Sequence, residues 1–352
     1  MSISVHQRPG VYSSYDASTV VSGNGGGRMV GLAAANAAAA AGVVQVITSY
    51  ENAVTVFGSD GTERMAELIR LALKNGASAV AAVPVASEKG YEAAFDQLAG
   101  MEDIALVICD STDLAVQKQL RDSVIEASDM RRERLCVVAG TAGESVDALM
   151  DRAKEYNHER VVLVAPGCVD SQGEAISGLS LAAAVAGVIA GESDPALPLG
   201  GAELTGLNGL DLRLEDKDVD RLILGGVTPV ESLGGAVSVI RGVTTRTTSG
   251  GAADAAWRDL SAIRVVDDVI PGLRSALRAK FRRAKNTAQS QGAIRAQVVL
   301  ELENKKAREI ITGYEDVAVT ADSEDPTRCL VNFSFTVAHG LNQIWLTAHI
   351  TV

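Results

Sequence analysis

Catalysis needs a nucleophile, a base or an anion cradle, and few stretches of these 352 residues supply one. Gly140-Thr-Ala-Gly143-Glu-Ser145 stands between an apolar run and an amphipathic one, where backbone amides opening a helix can hold a phosphate. The stretch matches neither Gly-x-Gly-x-x-Gly nor the phosphate loop ending in Lys-Ser/Thr, so a strand-to-helix turn with a polar cap is the plainer reading. Its functional alternative is a phosphate- or nucleotide-binding α/β enzyme using Gly140 to Ser145. Pro166-Gly-Cys168-Val-Asp170-Ser171 follows the next apolar run and offers a thiol and a hydroxyl. Nucleophilic catalysis also requires a base and a group to orient it, and His158 sits among charged neighbours at an expected helix end. Cys109, Cys136, Cys168 and Cys329 are scattered and form no Cys-x-x-Cys pair. With four histidines they give neither a metal-site spacing nor a disulfide framework, which predicts buried, reduced thiols in a protein made in the cytoplasm. No catalytic residue, metal ligand or cofactor is assigned.

Charge is more informative than any of these. The formal net charge is −12, which argues against nucleic acid as a partner, and aromatics at 4% leave few platforms for stacking bases. Between Pro271 and Asn286 the sign reverses: Arg274, Arg278, Lys280, Arg282, Arg283 and Lys285 occur with no acidic residue. Arg274, Arg278, Arg282 and Lys285 are spaced so that a helix would align them along one side. Such a stripe attracts an acidic surface in a salt-dependent way; the plainer alternative is a solvated helix face.

Several elements must position these groups. Hydrophobic residues make up 47%, too many for a disordered chain. The longest apolar stretch, Gly31 to Val44, is mostly alanine with Asn36 inside it and lacks the bulk of a membrane span, so no membrane insertion is expected. No basic segment followed by an apolar core opens the chain, so no secretory signal is read. Residues 79–83, 104–108, 135–139 and 160–164 are continuous apolar runs bounded by turn residues, the pattern of strands buried on both faces of a parallel sheet. Helices are predicted over 62–75, 87–99, 113–128, 144–156 and 176–190; in the first, Met65, Leu68, Ile69 and Ala72 form one stripe. This alternation predicts a doubly wound α/β layer.

After about Leu233 the pattern changes. Val237 to Thr248 is β-branched and threonine-rich and reads as one or two strands. Trp257, Leu260, Ile263 and Arg264 share a helix face, which Pro271-Gly272 is expected to interrupt, with a second helix to about Lys285 and a third over 291–306. Three strands are expected to close the chain. The last, Gln343 to Val352, carries no charge or proline, and a strand of that kind pairs in its own sheet or is offered to another molecule. The fold class is therefore α/β: an outer domain with a mainly parallel sheet at 27–235, plus an α+β domain at 236–352. Residues 1–26 form a polar arm ending in the glycine cluster Gly23 to Gly27.

These features together resemble the tail sheath proteins of contractile phage tails and related phage-tail-like particles. The matching residues are Arg8-Pro-Gly-Val-Tyr12, Val239-Ile-Arg-Gly-Val-Thr-Thr-Arg-Thr-Thr248, Asp254-Ala-Ala-Trp-Arg-Asp-Leu260 with Ile263-Arg264, Phe281-Arg-Arg-Ala-Lys-Asn-Thr287, and Ile344-Trp-Leu-Thr347. They cover the first 25 and last 115 residues, with Ala284 standing where the family often has glycine. The resemblance implies that the arm and the C-terminal third make one conserved domain, and that subunits form stacked six-subunit rings around an inner tube. It implies strand exchange between neighbours through Val5, Arg8, Pro9, Gly10, Val11 and Tyr12 at one end. At the other end the exchanging residues are Ile344, Trp345, Leu346, Thr347, Ile350 and Val352. Arg274, Arg278, Lys280, Arg282, Arg283 and Lys285 would face an acidic tail tube protein, with baseplate and tail terminator proteins as further partners. Segments at 13–27 and 338–342, with Gly340 and Gly23 to Gly27, would act as hinges when the sheath contracts. The resemblance also implies a product made in the bacterial cytoplasm that becomes part of a virion tail or a released phage-tail-like particle.

Overall fold

The computed structural model describes residues 28–58 and 64–350; the expected arm at 1–26 and the Gly23 to Gly27 hinge lie outside the described residues. The chain enters through β1 (Met29–Ala35), β2 (Gln45–Ile47), α1 (Tyr50–Phe57), α2 (Arg64–Lys74) and β3 (Val80–Val85). It continues as α3 (Tyr91–Gly100), β4 (Ile104–Cys109), α4 (Leu114–Asp129), β5 (Leu135–Ala139), α5 (Val146–Tyr156) and β6 (Val161–Ala165). A short hairpin, β7 (Cys168–Val169) and β8 (Ala175–Ile176), precedes α6 (Leu179–Gly191), β9 (Glu203–Leu204), α7 (Asp216–Leu224), β10 (Val227–Leu233) and β11 (Ala236–Val239). Another hairpin, β12 (Thr248–Ser249) and β13 (Ala252–Ala253), leads to α8 (Leu260–Phe281), α9 (Ala288–Ala307), β14 (Ile311–Ala321) and β15 (Cys329–Val337).

Nine strands form one sheet in the order β2-β3-β1-β4-β5-β6-β10-β11-β9. The six from β3 to β10 run parallel, and β2, β11 and β9 join antiparallel at the margins. Helices α1, α2 and α6 cover one face and α3, α4 and α5 the other, which is why the inner strands are apolar at every position. The alanine-rich stretch from Gly31 holds most of the interior strand β1, an element its composition disguises because alanine and glycine are weak strand formers. Small residues are what this position needs: a Cβ on Gly31 would lie 3.3 Å from the side chains of Leu98 and Ile104. Helix α6 is buried almost all round and comes so close to α2 that a Cβ on Gly187 would stand 2.4 Å from Ala72 O.

Strands β10 and β11 are joined through Gly234 and Gly235, both at positive φ, the two-residue turn whose twist suits a hairpin. The expected boundary at 235/236 falls on this turn, and the sheet continues through β11. The threonine-rich segment beyond it is a strap along the sheet. Thr228 Oγ1 donates to Val243 O, Thr244 Oγ1 to Trp257 O and Thr245 Oγ1 to His158 O, all three threonines being fully buried.

Pro271 does not interrupt its helix. Helix α8 runs unbroken through it for 22 residues. An internal proline costs about 3 kcal/mol. Leu260 and Ile263 anchor the first turns in the α/β core, while Val265, Val269 and Leu273 pack with Val298 and Leu302 of α9 on both sides of the proline. That burial offsets the missing hydrogen bond. Two closing strands are present among the described residues where three were expected. β14 and β15 make an antiparallel ribbon against α9, and residues 338–350 adopt no regular structure. A strand exists only where an edge pairs with it. Here Ala338 N donates to Ile310 O at 3.2 Å, and the chain then turns away from the ribbon.

Candidate assembly interface

The four cations expected along one helix side, Arg274, Arg278, Arg282 and Lys285, do not form one helical stripe. Helix α8 ends at Phe281, so Arg282, Arg283 and Lys285 belong to the turn before α9. Arg274 is engaged inside the subunit, its Nη2 2.7 Å from Glu133 Oε1 beside β5. Lys280 Nζ donates to Gln297 Oε1 of α9. Arg278, Arg282, Arg283 and Lys285 are exposed and make no ion pair among the described residues. Ala284 needs no glycine conformation: its N–H donates to Phe281 O at 3.1 Å and its φ is not positive.

The ribbon is the second feature. Strand β15 alternates half-buried and exposed residues, with Val331, Phe333, Phe335 and Val337 turned to the C-terminal core. Its pairing with β14 is the only pairing of either strand among the described residues, so both outer edges keep free N–H and C=O groups. Past Val337 the chain is pinned once more at Gly340, where a Cβ would lie 2.6 Å from Pro198 Cβ. Beyond it Leu341, Ile344, Trp345, Leu346 and Ile350 are 75–91% exposed, and Thr347 is exposed with them. Val5, Arg8, Pro9, Gly10, Val11, Tyr12 and Val352 lie outside the described residues.

The loop from Gly140 to Ser145 has filled its own anion position. Glu144 Oε2 accepts from Thr141 N at 2.8 Å and Thr141 Oγ1 at 3.1 Å, and Arg152 pairs with the same carboxylate at 3.0 Å. Burial pushes the Glu144 carboxyl up, but these bonds hold it below the ordinary range, so it stays charged. Gly143 N donates to Asp211 Oδ2 at 3.3 Å, and Ser145 caps α5 through Ala148 N. A phosphate there would meet two carboxylates. Cys168 is buried, and burial pushes its thiol up to about 12, which leaves no thiolate near neutral pH. Among the described residues no three His, Cys, Asp or Glu side chains gather as a metal site, and no helix is long and apolar enough to cross a membrane.

Sequence reasoning missed the joint that carries this interface. Arg160, just before β6, pairs with Asp267 of α8, and Arg264 of α8 donates to the carbonyls of Glu192, Asp194 and Leu197. Burial lowers the Arg264 guanidinium to about 10, still charged at neutral pH. Charges spaced along helices in this way are invisible as partners until the fold brings them together.

A parallel α/β body is joined to a helical hairpin, an open-edged ribbon and an exposed apolar segment. Comparison with known proteins identifies the family. The phage tail sheath protein central domain matches residues 85–245, and the phage tail sheath C-terminal domain matches residues 252–351. The chain belongs to the phage tail sheath protein family, whose members are structural. The tail sheath protein of Bacillus phage SP01 is 27% identical over 253 residues, 70% of this chain. That alignment spans 43% of the relative's length. Among solved structures, a chain of the anti-feeding prophage baseplate superposes with TM-score 0.76 at 17% identity, covering 99% of this chain and 100% of that one. The helical sheath of the same particle in its contracted state gives 0.74 at 17%, covering 98% and 99%. The sheath tail protein of Desulfitobacterium hafniense gives 0.70 at 12%, covering 93% and 100%. At these identities the likeness is one of fold.

Proposed function

We propose that this chain polymerises as stacked six-subunit rings around an inner tail tube and contracts to drive that tube through a target envelope. The observation that carries this reading is the pairing of opposites in one domain: a two-stranded ribbon with both edges open, and an exposed apolar segment, Leu341 to Ile350, that pairs with nothing in its own subunit among the described residues. Two isolated strands are marginal by themselves, and edges of this kind accept strands from other chains. Each subunit would take the terminal segment of one neighbour and the arm of another, with Arg8 to Tyr12 in that arm. Head-to-tail donation that does not close on itself builds a helical array.

Arg278, Arg282, Arg283 and Lys285 would meet an acidic tube. Exposed ion pairs contribute about 0–1 kcal/mol each and weaken with salt. Added strands contribute a ladder of main-chain bonds of roughly 0.5–1.5 kcal/mol apiece. Contraction would therefore release the tube contacts and keep the lattice connected. Residues 341 and 342, just past the contact of Gly340 with Pro198, would absorb the rotation while the Arg160–Asp267 pair holds α8 to β6. Baseplate and tail terminator proteins would bound the cylinder, a component of a virion tail or phage-tail-like particle assembled in the bacterial cytoplasm.

The test is deletion of Asn342 to Val352. The truncated subunit is expected to remain folded and monomeric, while the full chain mixed with extract from cells carrying its neighbouring genes forms striated cylinders in electron micrographs. Normal cylinders from the truncated chain would overturn strand exchange.

A further inference from the structure

The turn that carries the free cations is tied down by one side chain. Asn286 stands between α8 and α9, and its Nδ2 donates to Pro326 O at 2.9 Å and Arg328 O at 3.1 Å, both in the loop joining β14 to β15. Its Oδ1 accepts from Gln291 Nε2 of α9 at 2.9 Å. Two donors and an acceptor on one planar head are what a carboxamide supplies, and here all are used. Of the three carboxylates of the same loop, Asp322 and Asp325 are closed on the loop itself, and Glu324 makes no ion pair with the basic turn among the described residues. Asp322 accepts from Glu324 N at 2.9 Å and pairs with Arg328, while Asp325 accepts from Thr327 N at 2.8 Å and from Thr327 Oγ1 at 2.6 Å. Neither pairs with Arg282, Arg283 or Lys285 among the described residues.

We infer that Asn286 is a positioning residue for the acidic partner: it clamps the basic turn to the ribbon's loop, so that Arg282, Arg283 and Lys285 are presented as a fixed array. Ordering long cationic side chains on a loose turn costs conformational entropy at the moment of binding, and a turn fixed beforehand has already met part of that cost. The clamp also ties the cations to the ribbon whose edges are proposed to receive neighbouring strands. This inference rests on the reading that these cations meet an acidic surface, and the experiment separates the two.

The probe is a carboxylate cation-exchange surface, eluted with salt, and the proteins are full-length. Wild type is expected to be retained, and the Arg282→Ala, Arg283→Ala, Lys285→Ala triple variant to elute at clearly lower salt while still binding. Asn286→Ala should elute at lower salt than wild type, and Asn286→Ser, whose hydroxyl is too short to reach both carbonyls, should shift with it. Added to the triple variant, Asn286→Ala should change nothing, because it acts through those cations. If Asn286→Ala and Asn286→Ser elute with wild type while the triple variant elutes earlier, the clamp is wrong and the basic face stands. An equal further loss in the triple background also overturns the clamp, since Asn286 would then act elsewhere. If the triple variant elutes with wild type, the basic-face reading itself fails.

Discussion

Arg160 and Asp267 are 107 positions apart in sequence, yet they meet in a two-pronged ion pair, Nη1 to Oδ2 at 2.8 Å and Nη2 to Oδ1 at 3.0 Å. The same guanidinium donates to Arg134 O at 3.1 Å. With Arg274–Glu133 this pair fastens α8 to the N-terminal ends of the central strands β5 and β6. Burial pushes the Asp267 carboxyl up, and Arg160 opposes it.

Replacing one partner should therefore be costly. The two side chains are only 14% and 10% exposed, and Asp267→Asn leaves a guanidinium buried without its counter-charge. A loss of about 3 kcal/mol or more is expected, read from urea unfolding of the unassembled subunit. A wild-type midpoint for Asp267→Asn would mean that apolar contacts alone hold the joint.

Two glycine-to-alanine changes should move stability in opposite directions. A Cβ on Gly187 would stand 2.4 Å from Ala72 O and 2.9 Å from Asn75 Cβ, so Gly187→Ala must push α6 off α2, at a cost of roughly 1–3 kcal/mol. Gly292, inside α9, has nothing within 4 Å of the same position, and Gly292→Ala should stabilise the monomer by about 1 kcal/mol. Thermal unfolding of both variants checks the pair, and shifts of the same sign would contradict this packing.

Stability should also fall on mild acidification through His158. Its Nδ1 accepts from Arg160 N at 3.1 Å, and its backbone meets Thr245 Oγ1 through both N–H and C=O. Burial lowers its pKa below the ordinary 6.5; among the groups facing it Glu159 opposes this, while Arg160, Arg246 and Arg121 reinforce it. A histidine depressed in the folded state contributes stability above 6.5 that is lost as pH falls, because the unfolded chain takes up the proton first. Glu133, Glu144 and Glu159 are also lowered, but their losses begin only below 4.5, so the windows separate. The unfolding midpoint should fall as the pH drops below 6.5, and His158→Gln should flatten that part of the curve. An unchanged slope in the variant would assign the effect to another group.

Particular elements show how much could be read beforehand. The runs over 104–108, 135–139 and 160–164 coincide with β4, β5 and β6 to within a residue, because a strand buried on both faces admits only apolar side chains. Helices α2, α4 and α5 were legible for a similar reason, their stripes and the caps Asp113 and Ser145 being local. Strand β1 was hidden by alanine, and α8 by a proline whose penalty only its packing against α9 could offset.

For the interface, sequence alone determined composition: which cations lack nearby acids, and which terminal residues are apolar and uncharged. Both are properties of neighbours along the chain. The tertiary structure decided availability. It assigned Arg274 to Glu133 and Lys280 to Gln297, left Arg278, Arg282, Arg283 and Lys285 unpaired among the described residues, and tied their turn to the ribbon through Asn286. It also left the ribbon two-stranded, with Ile344 to Leu346 in solvent. Hydrogen bonds and ion pairs act over a few ångströms between residues far apart in sequence, so only the folded chain determines which groups are already satisfied and which remain for a partner.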